Sequence, residues 1–524
     1  MAWSRRRSPT TSIGCPESGA TVGAVGDLNP GPIERTVWVV QEFLKESLTF
    51  WVALTLVAQV FAVISVGHAI MSSRTAPGAW AWTFALLSFP FAVPLYWIFG
   101  RKTFKGYENA LREARDRHAD FVDAVTDGLE PHFATLTGEE GRYGTVLETL
   151  SERKFTRGNR VTLLENGEAT FEAIFEAIED ANRYVMIQFF IIKDDVLGGQ
   201  LRDLLVRKAQ EDRVKIYFLY DEIGSHALPK RYLQSLRDAG ISVAAFQTTQ
   251  GRANRFQINF RNHRKIVVVD GKSAFIGGHN VGDEYLGKSA RFGAWRDTHV
   301  KIVGPAVLST QLVFLGDWYW AVQEVPNLSE IVWQPQFVAP RDGHTVLPLQ
   351  TGPVDTIEGG TLFFLNSINR ARERFWITSP YLVPDETIRN ALQLAALRGV
   401  DVRIMIPENP DKKIPWLAGF SFLGDLERAG IRVFRYTEGF LHQKVFVVDQ
   451  QTACVGTANL DNRSLRLNFE VSAVVLDEAF NTEVANMLLR DFEKCREVSS
   501  LDYSEKPIWF RILVRLARLV GPVL

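Results

Sequence analysis

The chain has 524 residues, more than one ordinary domain holds, so two or three domains are expected. Its formal net charge of -1 weighs against a nucleic-acid partner, because binding to a phosphate backbone needs a basic excess on at least one face. Its 3 cysteines form neither an even disulfide framework nor a C-x-x-C metal pair, so a reducing compartment is the default.

The N-terminal region carries two long uncharged runs after a tail, residues 1–34, that is predicted to be disordered. Neither residues 47–71 nor residues 75–100 contain an acidic side chain, a lysine or an arginine. Each run exceeds the roughly 20 residues that a helix needs to cross a bilayer. Two transmembrane helices are therefore predicted within residues 35–102, and a buried hairpin of a soluble domain is the less favoured alternative.

Basic side chains flank this predicted hairpin on both outer sides. Those before it are Arg35 and Lys45, those after it are Arg101, Lys102 and Lys105, and Arg74 lies in the connection. By the positive-inside tendency, both ends of the hairpin and the rest of the chain face the cytoplasm.

The remainder of the chain has the rhythm of an α/β protein. Residues 103–155 are charged and helical in pattern, and we interpret them as a connector. Beyond them, apolar runs such as "RYVMIQFFII" and "VKIYFLYD" alternate with amphipathic helical segments such as "GGQLRDLLVRKAQEDR". This alternation predicts a β-sheet flanked by helices.

One motif, H-x-K-x4-D, occurs twice at a constant offset. The members of the two copies are His263, Lys265 and Asp270, then His442, Lys444 and Asp449. Each pair is 179 positions apart (442 − 263 = 179), and so are Asn280 and Asn459. The chain therefore contains an internal duplication, which predicts two homologous lobes, residues 156–345 and 346–500, related by a pseudo-twofold axis.

The motif residues predict an anion site between the lobes. His263 and Lys265 are two positions apart on a strand, so both side chains project from one face, and the same holds for the second copy. Two imidazoles, two ammonium groups and the amides of Asn280 and Asn459 would then surround one small volume. Such a site suits an anion with several oxygens, and a phosphodiester fits.

Two histidines also supply a mechanism. One unprotonated imidazole can attack phosphorus, while the other, protonated, donates to the leaving alkoxide. The product is a phosphohistidine, and the roles of acid and base then reverse. No metal or other cofactor is predicted, because the lysines already neutralise the phosphoryl oxygens.

Carboxylates are needed to hold the second nitrogen of each imidazole. Glu470, in "NFEVSAVVLD", and Asp297, in "WRDTHVKIVG", each precede an alternating run. Their offset is 173 (470 − 297 = 173), so this pairing assumes a six-residue insertion in the first lobe relative to the motif offset of 179 (179 − 173 = 6). Asp270 and Asp449 complete the motifs, and we interpret them as structural supports near strand ends.

These residues resemble the paired motifs of the phospholipase D superfamily, and more narrowly the bacterial cardiolipin synthases. The segments that carry the resemblance are "RNHRKIVVVDGKSAFIGGHNVGDEYLG", "WRDTHV", "GTANLDNRSLRLNFEV" and "YWIFGRKTF". The resemblance runs from about residue 45 to the C-terminus. One departure is "NPDKKIP", where Lys412 stands in place of a common histidine, and this bears on the choice of acceptor.

The resemblance implies a phosphatidyl transfer that condenses two phosphatidylglycerol molecules to cardiolipin and glycerol. Superfamily precedent favours His263 as the nucleophile and His442 as the acid and base, although the near-symmetry of the sequence does not decide between them. It also implies a multi-pass protein of the bacterial inner membrane with phosphatidylglycerol and other anionic phospholipids as partners. Protein partners are not predicted.

The C-terminal segment, residues 501–524, is predicted to lie on the membrane surface. In "IWFRILVRLARLVGPVL", Arg511, Arg515 and Arg518 share one helical face, opposite an apolar face with Leu513 and Leu516. A basic amphipathic helix of this kind is attracted to anionic lipid. A buried core helix is the alternative.

Other functions use the same catalytic residues. A membrane-bound phospholipase D, which hydrolyses the phosphatidyl-histidine with water to give phosphatidic acid, is the main alternative. A nuclease is disfavoured by the apolar spans and the neutral charge balance. A catalytically inactive scaffold would show erosion of one motif, and both motifs are intact.

Overall fold

The computed structural model describes residues 32–73, 75–100, 104, 106–249, 254, 259–339 and 343–523. The α-helices are α1 (Pro32–Ser72), α2 (Ala76–Ser88), α3 (Val93–Leu95), α4 (Tyr107–Arg117), α5 (Ala119–Leu129), α6 (Gly138–Ser151), α7 (Asn166–Glu179), α8 (Val196–Gln210), α9 (Lys230–Asp238), α10 (Ala306–Val322), α11 (Gly359–Arg370), α12 (Glu386–Leu397), α13 (Lys413–Phe420), α14 (Leu423–Arg428), α15 (Asn462–Arg466), α16 (Glu478–Phe492), α17 (Leu501–Ser504) and α18 (Ile508–Leu519).

The strands are β1 (Thr156–Glu165), β2 (Tyr184–Phe189), β3 (Lys215–Asp221), β4 (Ser242–Phe246), β5 (Arg261–Asn262), β6 (Ile266–Val269), β7 (Ser273–Gly277), β8 (Trp295–Arg296), β9 (Thr298–Val303), β10 (His344–Thr351), β11 (Arg374–Thr378), β12 (Leu382–Val383), β13 (Asp401–Pro407), β14 (Arg432–Tyr436), β15 (Phe440–Leu441), β16 (Val445–Val448), β17 (Thr452–Gly456), β18 (Leu460–Asp461), β19 (Asn468–Leu476) and β20 (Cys495–Val498).

Among the described residues, α1 is the helix that is long and apolar enough to cross a membrane. The second uncharged run is broken into two short helical pieces, because α2 ends at Ser88 and a separate apolar helix follows over Pro90–Gly100. Proline lacks the N–H and clashes with the preceding turn, so it interrupts a helix. The prediction of a second transmembrane helix therefore stays a prediction.

The broken segment nevertheless packs back against α1. Tyr96 lies with its hydroxyl 2.5 Å from His68 Nδ1, and Trp97 donates to Ser65 Oγ at 3.0 Å.

Residues 1–31 of the predicted tail lie outside the described residues, and so do four basic side chains on which the predicted membrane orientation depends. These four are Arg74, Arg101, Lys102 and Lys105.

Both lobes share one continuous mixed sheet. Its strand order is β20-β14-β13-β11-β16-β17-β19-β10-β1-β9-β7-β6-β2-β3-β4. The lobes meet where β1 and β10 pair antiparallel, with Thr156 opposite Val346. Outward from this pair the two halves have the same order, with β9, β7, β6, β2, β3 and β4 matching β19, β17, β16, β11, β13 and β14. The predicted two-lobe fold with a pseudo-twofold relation is confirmed.

The central strands are apolar on both faces because helices cover both sides of the sheet. The strand β6 has the sequence "IVVV" and β16 has "VFVV", and every residue of both is buried. Such runs are typical of strands that are buried on both faces. Each motif histidine precedes one of these strands, so the sheet core fixes its position.

Two short strand pairs cross between the lobes. The strand β5 pairs in parallel with the start of β19, and β15 pairs in parallel with β8. His263 follows β5 and donates its backbone N–H to Phe469 O at 2.9 Å. His442 follows β15 and donates its backbone N–H to Arg296 O at 2.8 Å. Each histidine is therefore held against the strand of the other lobe that carries a carboxylate.

Candidate active site

Each motif histidine is paired with the carboxylate of the opposite lobe. His263 Nδ1 lies 2.9 Å from Glu470 Oε2, and His442 Nδ1 lies 2.6 Å from Asp297 Oδ2. Both imidazoles are nearly buried and both carboxylates are fully buried. A carboxylate only accepts, so Nδ1 of each ring carries the hydrogen and Nε2 keeps its lone pair. The sequence pointed to these carboxylates but not to their exchange between lobes.

Glu470 is saturated with hydrogen-bond donors. Besides His263 it accepts from Thr457 Oγ1 at 2.5 Å, Ser464 Oγ at 2.7 Å and Asn468 Nδ2 at 3.1 Å. Burial alone would raise the pKa of Glu470, but the neighbouring His263 and Lys265 lower it below its usual value. The carboxylate is therefore ionised and rigidly oriented.

Asp297 is held differently. Its Oδ1 accepts the backbone N–H of Thr298 at 2.8 Å, and the ring N–H of Trp295 lies 3.5 Å from Oδ2. Burial opposes ionisation, yet the charge of Lys444 and the contact with His442 keep the pKa of Asp297 well below its usual range. Gly278 lies against this carboxylate, and a Cβ added there would be 2.0 Å from Oδ1.

The two motif lysines are buried beside the histidines. Lys265 Nζ donates to the backbone oxygen of His263 at 2.7 Å, and Lys444 Nζ donates likewise to His442 O. Burial lowers the pKa of Lys265 to about 7 and that of Lys444 to about 8. The ammonium of Lys444 also lowers the pKa of Lys265, so both lysines belong to one site.

Burial also determines the charge of the histidines. It lowers the pKa of His263 to about 4, although Glu470 opposes this shift. Burial also lowers the pKa of His442 to about 4. Lys444 contributes to this lowering, whereas Asp297 acts to raise the pKa. Both rings are thus neutral near pH 7 before an anion binds.

Asp270 and Asp449 lie away from the imidazoles. Asp270 accepts the backbone N–H groups that lead into β2, including that of Tyr184 at 2.8 Å, and Asp449 does the same ahead of β11, with Glu373 N at 2.8 Å. Both have positive φ, 53° and 49°, in the tight turns after β6 and β16. Seven residues of extended chain separate each from its histidine, roughly 20 Å. Both aspartates therefore fix the sheet end opposite the site.

The two predicted amides have different surroundings. Asn280 Oδ1 accepts from Ile191 N at 3.0 Å, and its Nδ2 donates to Tyr285 OH at 3.2 Å. Asn459 Nδ2 donates to Asp461 Oδ2 at 3.4 Å. Both amides are buried in the loops that follow the motif hairpins.

A buried network behind His263 was not anticipated from the sequence. Arg264 forms an ion pair of 2.7 Å with Asp317 and donates to the backbone oxygen of Glu470 at 3.0 Å. Tyr107, in the connector, donates to Asp317 at 2.6 Å. The available signal was the arginine inside the first motif, at the position where the second motif has Gln443.

The first lobe also buries a pair of histidines next to the site. His279 Nδ1 and His299 Nδ1 are 3.2 Å apart, and His299 Nδ1 also accepts the backbone N–H of His279. Burial lowers the pKa of His279 to about 4 and that of His299 well below its usual value. Both rings are neutral and pack behind Asp297.

Comparison with known proteins identifies the family. A model described as "Cardiolipin synthase, PLD-like domain" matches residues 174–291 and 364–495, which contain the two motifs. Cardiolipin synthase A of Pseudomonas fluorescens strain SBW25 is 49% identical over 460 residues, which are 87% of this chain and 95% of that protein. The chain belongs to the cardiolipin synthase family. Cardiolipin synthase A of Pseudomonas putida strain GB-1 is 47% identical over 467 residues, 88% of this chain and 96% of that protein.

A solved structure has the same fold as the two lobes. It is the phosphatidylserine synthase of Haemophilus influenzae Rd KW20, with a TM-score of 0.54 and 17% sequence identity. The alignment covers 73% of this chain and 100% of that one. The resemblance to the cardiolipin synthases of the phospholipase D type is thus confirmed. Within this family, the long, apolar and exposed helix α1 indicates a membrane-associated chain.

Proposed function

We propose that this protein is a cardiolipin synthase that condenses two phosphatidylglycerol molecules through a phosphohistidine intermediate. The observation that carries the proposal is the pair of crossed contacts, His263 with Glu470 and His442 with Asp297, next to two buried lysines. This arrangement supplies a nucleophile, a proton donor and two cations around one phosphodiester.

The first half-reaction transfers the phosphatidyl group to the protein. Nε2 of His263 attacks phosphorus, and the bond from phosphorus to the glycerol oxygen breaks. His442, protonated once the phosphodiester anion is bound, donates its Nε2 proton to that oxygen, and glycerol leaves. Lys265 and Lys444 balance the negative charge on the phosphoryl oxygens.

The second half-reaction reverses these roles. His442, now neutral, takes the proton from the terminal hydroxyl of a second phosphatidylglycerol. The hydroxyl oxygen attacks phosphorus, and the bond from phosphorus to His263 Nε2 breaks, which releases cardiolipin. Glu470 holds the charged His263 ring in place during both steps. The role of nucleophile goes to His263 because the resemblance to the superfamily favours the first motif.

The membrane arrangement supports access to lipid. We place α1 and the broken segment Ala76–Gly100 across the bacterial inner membrane, with both ends and the lobes on the cytoplasmic side. The helix α18 lies on the membrane surface: Leu513 and Leu516 are exposed, while Val514 and Ala517 pack on the second lobe. A site held at the bilayer meets its lipid substrate at high effective concentration.

Trapping of the covalent intermediate tests the assignment. The full-length protein is mixed with phosphatidylglycerol, quenched in alkali and digested, and the phosphatidyl-modified peptide is sequenced by mass spectrometry. The expected modification is on the peptide with His263, and His263→Asn abolishes it, whereas the matched change His118→Asn in the connector leaves it. Modification of the peptide with His442 would reverse the roles, and turnover without any adduct would contradict the mechanism.

A further inference from the structure

Two carboxylates of the second lobe have no charged counterpart in the first. Asp411 is the fourth residue after β13, whereas the fourth residue after β3 is Ser225. Asp461 matches Gly282 at the offset that relates the two motifs (461 − 282 = 179). The duplicated lobes have therefore diverged at this place, and the divergence adds hydrogen-bond acceptors to the second lobe.

Both carboxylates lie near Lys444, and Asp411 also lies near His442. Asp411 raises the pKa of His442 and of Lys444, and Asp461 raises the pKa of Lys444, so their charges act on this half of the site. The hydroxyl of Tyr381 donates to Asp411 Oδ2 at 2.7 Å. Asp461 is buried and caps α15, because its Oδ1 accepts the N–H of Ser464 at 2.8 Å, and Asp411 is half-buried and accepts the N–H of Lys412 at 2.7 Å. Together they form a wall of oxygen acceptors beside His442.

Asn459 adds an unused acceptor to this wall. Its Nδ2 donates to Asp461, and its Oδ1 has no hydrogen-bond partner within the described part of the chain, although the side chain is only 5% exposed. In the first lobe the matching Asn280 Oδ1 accepts the N–H of Ile191. In the second lobe the N–H of Tyr381 points to a serine hydroxyl instead. The carbonyl oxygen of Asn459 is therefore left free at the site, and a buried acceptor without a donor is costly.

We propose that Asp411, Asp461 and Asn459 form a hydroxyl-binding subsite for the glycerol headgroup of phosphatidylglycerol. The free oxygen of Asn459 and the remaining lone pairs of the two carboxylates suit a ligand that brings several O–H donors, and the glycerol moiety is such a ligand. The inference rests on the proposed phosphatidyl transfer and assigns its alcohol specificity to the second lobe.

The subsite serves both half-reactions. A glycerol hydroxyl bound beside His442 is placed to receive a proton when glycerol leaves and to give one when the second headgroup arrives. The leaving glycerol and the incoming headgroup therefore occupy the same place in turn. Lys412 is exposed at the rim of this wall, with its ammonium 5.8 Å from the Tyr381 ring centroid. The residue that departs from the usual histidine of the family thus borders the acceptor subsite.

A competition between two alcohols tests the subsite. The full-length protein in mixed micelles receives phosphatidylglycerol as donor with labelled glycerol and labelled propan-1-ol at equal concentration. Propan-1-ol has the reacting hydroxyl but not the vicinal ones. The ratio of labelled phosphatidylglycerol to phosphatidylpropanol is measured for the wild type, Asp411→Asn and Asn459→Ala. The matched control is Asp203→Asn, an exposed carboxylate of the first lobe.

The wild type and the control are expected to prefer glycerol. Asp411→Asn and Asn459→Ala should each lower the preference by about fivefold or more, because a hydrogen bond to the glycerol is lost. Propan-1-ol transfer should continue in both variants, which also shows that they are folded. An unchanged ratio, or equal loss of both products in both variants, would overturn the subsite. Failure of the wild type to form either product would instead overturn phosphatidyl transfer itself.

Discussion

At each histidine, burial and a paired carboxylate act in opposite directions on the imidazole. Burial prevails in the empty site, because the pKa of both His263 and His442 is lowered to about 4 despite Glu470 and Asp297. A bound phosphodiester adds negative charge and raises both values again. The site can therefore keep one ring neutral as a nucleophile while the other becomes a proton donor.

Replacement of Glu470 tests the role of the carboxylate. Glu470→Gln keeps the size of the side chain but lets its amide donate to Nδ1, which would turn the His263 ring to the wrong tautomer. Turnover should fall by about 10²- to 10⁴-fold. The matched change Glu478→Gln, on the exposed first turn of α16, should leave turnover unchanged. Equal turnover of both variants in the cardiolipin assay would show that the carboxylate does not orient the ring.

Anion binding should take up protons at pH 8. The pKa of Lys265 is about 7 and that of Lys444 about 8, so at pH 8 Lys265 is mostly neutral and Lys444 about half charged. An anion between them raises both pKa values, and the lysines gain protons from the buffer. Calorimetric titration with glycerophosphoglycerol in buffers of different ionisation enthalpy measures this uptake. The titration is made in the variant His442→Asn, because His442 itself takes up a proton when an anion binds. At pH 6 both lysines are already charged and contribute little uptake, so equal values at the two pH values in this variant would contradict the lysine assignment.

At the level of elements, the short pairs β5 with β19 and β15 with β8 bring each histidine to the opposite lobe. The two crossings differ in one detail. Gly278 faces the short side chain of Asp297, whereas Thr457, at the matching position, donates to the longer Glu470 (457 − 278 = 179). The residue at this position therefore matches the carboxylate in each lobe: a glycine packs closely against the aspartate, and a threonine forms a hydrogen bond with the glutamate.

The fit at Gly278 can be measured directly. Gly278→Ala places a methyl group 2.0 Å from the unshifted Asp297 Oδ1, so the carboxylate must move away from His442. Turnover should fall by more than about tenfold, because small displacements of positioning groups are costly. The control is Gly199→Ala in α8, where the nearest atom is 3.9 Å away and belongs to the flexible side chain of Arg202. Full activity of Gly278→Ala would contradict this prediction, because it would show that the added methyl group does not displace Asp297 from His442.

At the scale of the whole molecule, the C-terminal helix α18 is connected to the active site by direct contacts. Asn462, in α15, donates to Gly521 O at 3.0 Å just after α18. The same short helix provides Ser464 to the carboxylate of Glu470. Leu465 and Arg466 of α15 also line a cavity of about 480 Å³ with Phe104, close to the end of the membrane segment. The short helix α15 therefore joins the C-terminal helix to the catalytic carboxylate through direct contacts.

The membrane-surface role that we propose for α18 predicts a difference in turnover between vesicles and micelles. The double change Leu513→Glu and Leu516→Glu replaces exposed apolar side chains without disturbing the packed face. Turnover on phosphatidylglycerol vesicles should fall several-fold, because apolar insertion and attraction to anionic lipid are both weakened. Turnover in detergent micelles should be unchanged. Ser504→Glu, in the preceding turn, controls for added charge, and an equal effect on both lipid systems would argue against membrane docking.

The sequence predicted the lobes and the convergence of the motifs, because a constant offset of 179 leaves few other arrangements. It did not predict that the carboxylates are exchanged between the lobes, since this depends on β1 joining β10 in one sheet. The sequence did carry a signal that the two carboxylates have different surroundings. The first lobe has Gly278 and Asp297 where the second lobe has Thr457 and Glu470. The break in the second apolar run was also readable, because Pro90 lies inside it.

Product analysis tests the central claim most directly. The purified full-length protein is incubated in mixed micelles with phosphatidylglycerol that is labelled in the acyl chains and in the headgroup glycerol, with a chelator present, and the lipids are resolved. The predicted result is acyl-labelled cardiolipin together with one released glycerol for each molecule formed, and loss of both products in His263→Asn. Phosphatidic acid as the main product would show that water takes the phosphatidyl group from the histidine, and would contradict the assignment as a cardiolipin synthase.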